Sequence, residues 1–334
     1  MTQTESESSW KGARVLVTGA GGFIGSYLTE RLMELGADVR AFVHYRGDGS
    51  WGWLDRSDVK EEIKVIAGDI ADHESVMAAM KDVEVVFHLA ALIAIPYSYQ
   101  APASFVQTNV HGTLNVLQAA RAHGVGRVVH TSTSEVYGTA RYVPINEAHP
   151  LQAQSPYAAS KIGADKLVES FGLSYGLPVV TVRPFNTFGP RQSARAIVPT
   201  IITQCLTDQK VLLGNLSPKR DLNFVANVVE GFVRAGRSAH AVGRTINLGS
   251  GNELSIGELA QTIAGLTGQV IEIERDNERV RPEGSEVERL CADNAAAKEI
   301  LGWEPAVSLE EGLRVTIGWI REHLDAYRPG VYTV

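Results

Sequence analysis

The chain has 334 residues, 44% hydrophobic and 21% charged, an ordinary globular composition with room for one large α/β domain and a smaller partner. A net charge of −7 excludes the broad basic face that nucleic acid needs, so an anionic ligand must be held locally by helix N-termini and a few arginines. Two cysteines, Cys205 and Cys291, and no metal-ligand spacing among nine histidines argue against a disulfide or zinc framework and predict a reduced, cytoplasmic setting with no metal.

Residues 1–9 are polar and acidic, which predicts a frayed tail rather than a signal peptide. No stretch approaches a membrane span. Short β-branched runs then alternate with helical patterns, as in a parallel sheet with crossover helices. Strands are predicted at 14–18, 39–43, 63–66, 84–88, 127–131 and 179–183, and helices at 23–35, 73–80, 103–123 and 155–175. Beyond Pro184 the prolines Pro190, Pro199 and Pro218 break the chain, so the stretch to Arg220 reads as an insertion. A helix at 223–236 and a strand at 245–248 return to the sheet, and helices at 255–266, 294–301 and 309–324 form a smaller lobe. The predicted architecture is a Rossmann-type doubly wound domain, 12–186 and 221–250, carrying a C-terminal substrate lobe, 187–220 and 251–334.

Where the first strand meets the first helix stands Thr18-Gly19-Ala20-Gly21-Gly22-Phe23-Ile24-Gly25. Glycines there allow a tight turn and close backbone approach to a pyrophosphate, which the helix N-terminus attracts. Gly68-Asp69-Ile70 and Leu89-Ala90-Ala91 follow later strands, at the carboxyl ends where open α/β sheets bind ligands. Asp69 either accepts a hydrogen bond from an adenine amino group or caps the next helix. The second strand ends in Val43-His44-Tyr45-Arg46, without the carboxylate that normally binds the ribose 2′-hydroxyl of NAD. His44 and Arg46 would suit a 2′-phosphate, so local chemistry leans towards NADP.

Tyr157 and Lys161, four residues apart on a helix, share a face. A neighbouring ammonium lowers a tyrosine pKa and makes the phenol a usable base. After the fifth strand comes Thr133-Ser134-Glu135-Val136-Tyr137-Gly138. Together with His88-Leu89-Ala90-Ala91 and Arg183-Pro184-Phe185-Asn186, in this order and spacing, the motifs resemble the extended short-chain dehydrogenase/reductases over nearly the whole chain. The resemblance implies an enzyme on a nucleotide-activated sugar. Thr133 would bind the sugar 4-hydroxyl, Tyr157 would take its proton, and the C4 hydrogen would leave as hydride. Asn109 would orient the active-site helix, and Asn186 and Arg220 would contact the sugar diphosphate.

Epimerases of this group usually carry a small or apolar residue in place of Glu135; an acid there suggests C5 deprotonation after C4 oxidation. Segments 50–55, 91–99 and 279–289 are similar to the 4,6-dehydratases of legionaminic-acid and related amino-sugar pathways. That implies NAD, a UDP- or GDP-linked N-acetylhexosamine, and a homodimer built on the helices at 103–123 and 155–175. Glucose-type 4,6-dehydratases have Asp where Ser134 stands, and mannose-type dehydratases and UDP-glucuronate decarboxylases resemble the Thr-Ser-Glu form. Decarboxylation and 4-epimerisation therefore stand beside dehydration, and a cofactor-binding regulatory protein is the non-enzyme alternative. Trp51 and Trp53 either stack on a ligand or pack the lobe. Arg279 and Arg281 either clamp the diphosphate or belong to a solvated charge run with Glu278, Glu283 and Glu286.

Overall fold

The computed structural model describes residues 10–208 and 210–327. The tail at 1–9 and the end of the predicted substrate lobe, 328–334, lie outside the described residues.

Seven parallel strands form the main sheet: β1 (Arg14–Thr18), β2 (Asp38–His44), β3 (Lys64–Gly68), β4 (Val85–His88), β5 (Arg127–Thr131), β6 (Val179–Pro184) and β11 (Thr245–Leu248). Their spatial order is β11-β6-β5-β4-β1-β2-β3. The run is apolar and continuous because both faces are covered. Val15 and Val17 of β1 join one buried cluster while Leu16 joins the other, and Val85 and Phe87 of β4 alternate with Val86 in the same way. The order reverses between β1 and β4, which opens a crevice at their carboxyl ends. Helix α1 (Phe23–Glu34) follows β1, and α2 (His73–Ala79) follows β3.

The predicted helix at 103–123 is found at 102–122 but is less regular than its periodicity suggests. Short helix α3 (Ile95–Gln100) precedes it, α4 (Pro102–Phe105) opens it, and Val106–His111 forms a π-helical turn before α5 (Gly112–Ala122). A π turn adds a residue per turn and re-aims the side chains around it. Here it carries Asn109, which is 1% exposed. Helix α6 (Pro156–Tyr175) starts as predicted, with Ser155 capping Ala158 N and Pro156 in the first turn.

The insertion holds more order than its prolines imply. Strand β7 (Asn186–Phe188) pairs with β10 (Leu222–Phe224), and between them lie α7 (Ile197–Thr207), β8 (Lys210–Leu213) and β9 (Lys219–Arg220). Pro199 does not break the chain; it sits in the first turn of α7, where no N–H is required of it. The helix read at 223–236 is α8 (Val225–Arg237), and its first two residues, Asn223 and Phe224, belong to β10 instead. Further on come β12 (Leu254–Ser255), α9 (Ile256–Thr267), β13 (Glu272–Arg275), α10 (Ala295–Leu301) and α11 (Leu309–Glu322). Among the described residues no helix is long and apolar enough to cross a membrane, and no cluster of three or more metal-ligating side chains occurs.

Candidate active site

A cleft of about 1650 Å³ runs along the carboxyl ends of the strands and between the sheet and the 187–220 and 251–282 segments. At its sheet end lies the glycine loop. Gly19 has φ +71°, and a Cβ there would stand 2.8 Å from Ala90 N, so glycine is what lets β1 and the Leu89-Ala90-Ala91 turn approach. A Cβ on Gly25 would meet Gly19 O at 2.2 Å, so this glycine seats α1 against the loop. Helix α1 has no side-chain cap and no acid in its first turn. Its N-terminus is thus free to receive a pyrophosphate, and the loop fits a dinucleotide.

Gly19, Gly22, Phe23, Ile24, Gly25, His44, Arg46, Leu89, Ala90 and Ala91 all line the cleft. Asp69 and Ile70 do not. Ile70 is buried against Gly112. Asp69 accepts Ala71 N in a local turn at 2.9 Å and stands 4.0 Å from His44 Nδ1. The cap of α2 is Asp72, which accepts Ser75 N, so the capping alternative for Asp69 is overturned. Trp53 N donates to Gly21 O and its ring meets Trp319 edge-on at 5.5 Å. Both Trp51 and Trp53 reach the cleft wall, so Trp53 packs and lines the cleft at once.

Deeper in, Thr133, Ser134, Glu135, Tyr157 and Lys161 converge on one stretch of wall. Helix α6 presents Tyr157 and Lys161 one turn apart, and the turn after β5 presents the other three. Asn109, from the π turn, donates to Leu92 O and to Ser160 Oγ, both at 2.9 Å, tying α6 to the loop after β4. Burial pushes the Tyr157 phenol above its ordinary range; a hydrogen bond with Thr133 works against that, and the Glu135 carboxylate adds to it. Spacing predicts a phenol lowered by Lys161; burial raises it instead. Burial brings the Lys161 ammonium down to about 8 against the pull of Asp165, and its Nζ donates to Thr131 O at 2.7 Å. Desolvation outweighs the neighbouring charge.

At the far end, Asn186, Arg220 and Arg281 line the cleft. Asn186 Oδ1 is buried without a hydrogen-bond partner. Arg220 and Arg281 share a single carboxylate, Glu286, at 3.3 and 3.9 Å. Paired guanidinium groups of this kind suit a diphosphate, which would have to displace Glu286. Arg279 pairs with Asp276 at 2.9 Å. Arg220 also feels Glu135, which places the anion end and the acid of the Thr-Ser-Glu turn in one electrostatic field.

The model of the GDP-mannose 4,6 dehydratase family matches residues 16–316. The chain belongs to this family. Its relatives within the extended short-chain dehydrogenase/reductases carry different activities. It is 37% identical to a UDP-glucose 4-epimerase of Mycolicibacterium smegmatis, over 92% of this chain and 98% of the relative. It is 34% identical to a UDP-N-acetyl-alpha-D-glucosaminuronate decarboxylase of Bacillus cytotoxicus, over 92% and 98%. In structure it is similar to the dTDP-glucose 4,6-dehydratase DesIV of Streptomyces venezuelae, solved with NAD bound, at a TM-score of 0.86 and 30% identity, covering 94% of this chain and 99% of that one.

The family's cleft in this chain also holds residues that motif reading passed over. Arg191, at φ +67°, reaches back to Ser26 and Glu30 of α1, and Arg195 stands beside Ser193 at 3.1 Å. Both lie in the insertion, whose irregular sequence carries no periodic signal. Asp165 was detectable, since it continues the four-residue spacing from Tyr157 and Lys161.

Proposed function

We propose that this member of the family is an NAD-dependent nucleotide-sugar 4,6-dehydratase, converting a UDP- or GDP-linked N-acetylhexosamine into its 4-keto-6-deoxy product. The observation that carries the reading is the placement of Glu135, 9% exposed and close enough to Tyr157 to raise its phenol. A base for C4–OH and a second base for the adjacent carbon thus share one wall. Helix α1 and the glycine loop hold the pyrophosphate, the segment 187–220 with 251–334 holds the nucleotide sugar, and Arg220 and Arg281 take its diphosphate from Glu286.

The chemistry a bound nicotinamide supplies is hydride storage, from C4 during oxidation and back to C6 at the end, so no external reductant is consumed. Thr133 hydrogen-bonds the sugar 4-hydroxyl and shares it with Tyr157, which takes the proton. Lys161, anchored at Thr131 O, stabilises the phenolate as it forms. The resulting 4-ketone acidifies C5–H. Glu135 removes that proton and passes it to the departing C6 hydroxyl, because the Ser134 hydroxyl is far too weak an acid to do so. Ser134, 3% exposed, orients a hydroxyl or a water.

NAD is the cofactor in this reading, as in DesIV, although β2 ends without the usual acid. Substrate deuterated at C4 should yield product deuterated at C6 and lighter by one water, with no added reduced cofactor consumed. A product mass showing loss of carbon dioxide, or an unchanged mass with inverted C4, would replace this reading by decarboxylation or epimerisation. We place the enzyme in the cytoplasm and expect a homodimer in which α5 and α6 of each copy pair across a two-fold axis. Light scattering at micromolar concentration should return twice the chain mass, and a monomer mass would remove that assignment.

A further inference from the structure

One face of α6 carries a third polar residue beyond the two that the mechanism uses. Asp165, 5% exposed, sits one turn past Lys161. Its Oδ2 accepts from Ser132 Oγ at 2.7 Å and from Arg183 Nη2 at 2.9 Å, and its Oδ1 lies 3.2 Å from His130 Nε2. Burial above all keeps His130 neutral, with a pKa of about 4, so its ring is a hydrogen-bond partner and not a second counter-ion. Arg183, on β6, reaches on from Asp165 to the Tyr137 hydroxyl at 2.9 Å, and that hydroxyl donates to Asn247 Oδ1 on β11 at 2.8 Å.

The two ends of this chain of contacts bracket the turn that holds Thr133, Ser134 and Glu135. Ser132 precedes the turn and Tyr137 closes it. We propose that the buried Asp165–Arg183 ion pair is a positioning device, which clamps the Ser132–Tyr137 turn at both ends and so sets Thr133 and Glu135 opposite Tyr157. A buried ion pair adds little net stability over apolar residues of the same volume. What it adds here is direction: a fork of hydrogen bonds joins α6, β5, β6 and β11 to two points five residues apart. The inference rests on Tyr157 as the base for C4–OH, a step that dehydration, decarboxylation and epimerisation share, and it does not depend on the product.

The test removes one hydroxyl at each end. Ser132→Ala cuts the leading link and Tyr137→Phe the trailing one, and neither disturbs the charges. Single-turnover C4 oxidation, followed as cofactor reduction with UDP-glucose, dTDP-glucose and UDP-N-acetylglucosamine as probes, should slow by ~10-fold or more in each variant, as expected for a catalytic group misplaced by a fraction of an ångström. KM and the affinity for NAD should hold. Because both links act through one ion pair, the double variant should be slowed by less than the product of the two single effects. Crystal structures of the variants should show the Thr133 hydroxyl drawn away from Tyr157, a readout that needs no substrate. Variants that melt earlier but keep the wild-type rate and the wild-type Thr133 position would overturn the proposal. If no probe reduces the cofactor in the native protein, the proposed reaction fails while the position of Thr133 still decides the clamp. Asp165→Asn and Arg183→Lys should reproduce the displacement where they fold, and the two hydroxyl variants decide where they do not.

Discussion

Tyr157→Phe should lower turnover by roughly 10²-fold or more, the usual contribution of a positioned acid–base group, while NAD still binds. The ring is 7% exposed and packs edge-on against Phe105 at 6.2 Å, so phenylalanine keeps the packing and loses only the hydroxyl. That hydroxyl is the group whose upward shift Thr133 partly offsets. Among the described residues, the neighbouring phenols are engaged elsewhere: Tyr137 is turned into the Arg183–Asn247 network, and Tyr99 bonds Ser285. Steady-state assay alongside NAD titration separates the two effects. Near-normal turnover with the native product would remove Tyr157 from the mechanism.

Glu135→Gln should have an effect of similar size on product formation but stop the reaction at a different point. Glutamine keeps the length and polarity of the side chain and loses the base. C4 oxidation, served by Thr133, Tyr157 and Lys161, should continue, so the near-ultraviolet absorbance of reduced cofactor should rise and persist while water elimination stalls. Removing the negative charge should also ease the Tyr157 phenol downwards, since Glu135 contributes to its upward shift; oxidation itself should therefore not slow. Ser134→Ala should be milder. An elimination rate untouched by Glu135→Gln, together with a crippled Ser134→Ala, would invert the two roles.

Local sequence was enough wherever a function depends on neighbours in the chain. The glycine loop is a strand-to-helix turn, and its requirement for glycine comes from positive φ at Gly19 and contact distances within a few residues. Tyr157, Lys161 and Asp165 are tied by helical pitch alone. The order of the β-branched runs sufficed for the doubly wound sheet, because parallel strands buried on both faces leave unbroken apolar stretches.

The insertion shows the reverse. Its proline at 199 resembled a break, and the helix it opens became visible only through the N-terminal position of that proline. Composition and pattern led to a cofactor-binding α/β fold, and motif order led to a family whose relatives act on nucleotide sugars. Only the tertiary structure decided what surrounds each group. Burial raises the Tyr157 phenol where spacing alone promised a lowered one, and Glu286 stands between Arg220 and Arg281. The Asp165–Arg183 pair joins residues 18 positions apart beneath the catalytic turn. Desolvation and counter-charges depend on every element packed around a group, and those elements come from stretches of chain that no local pattern connects.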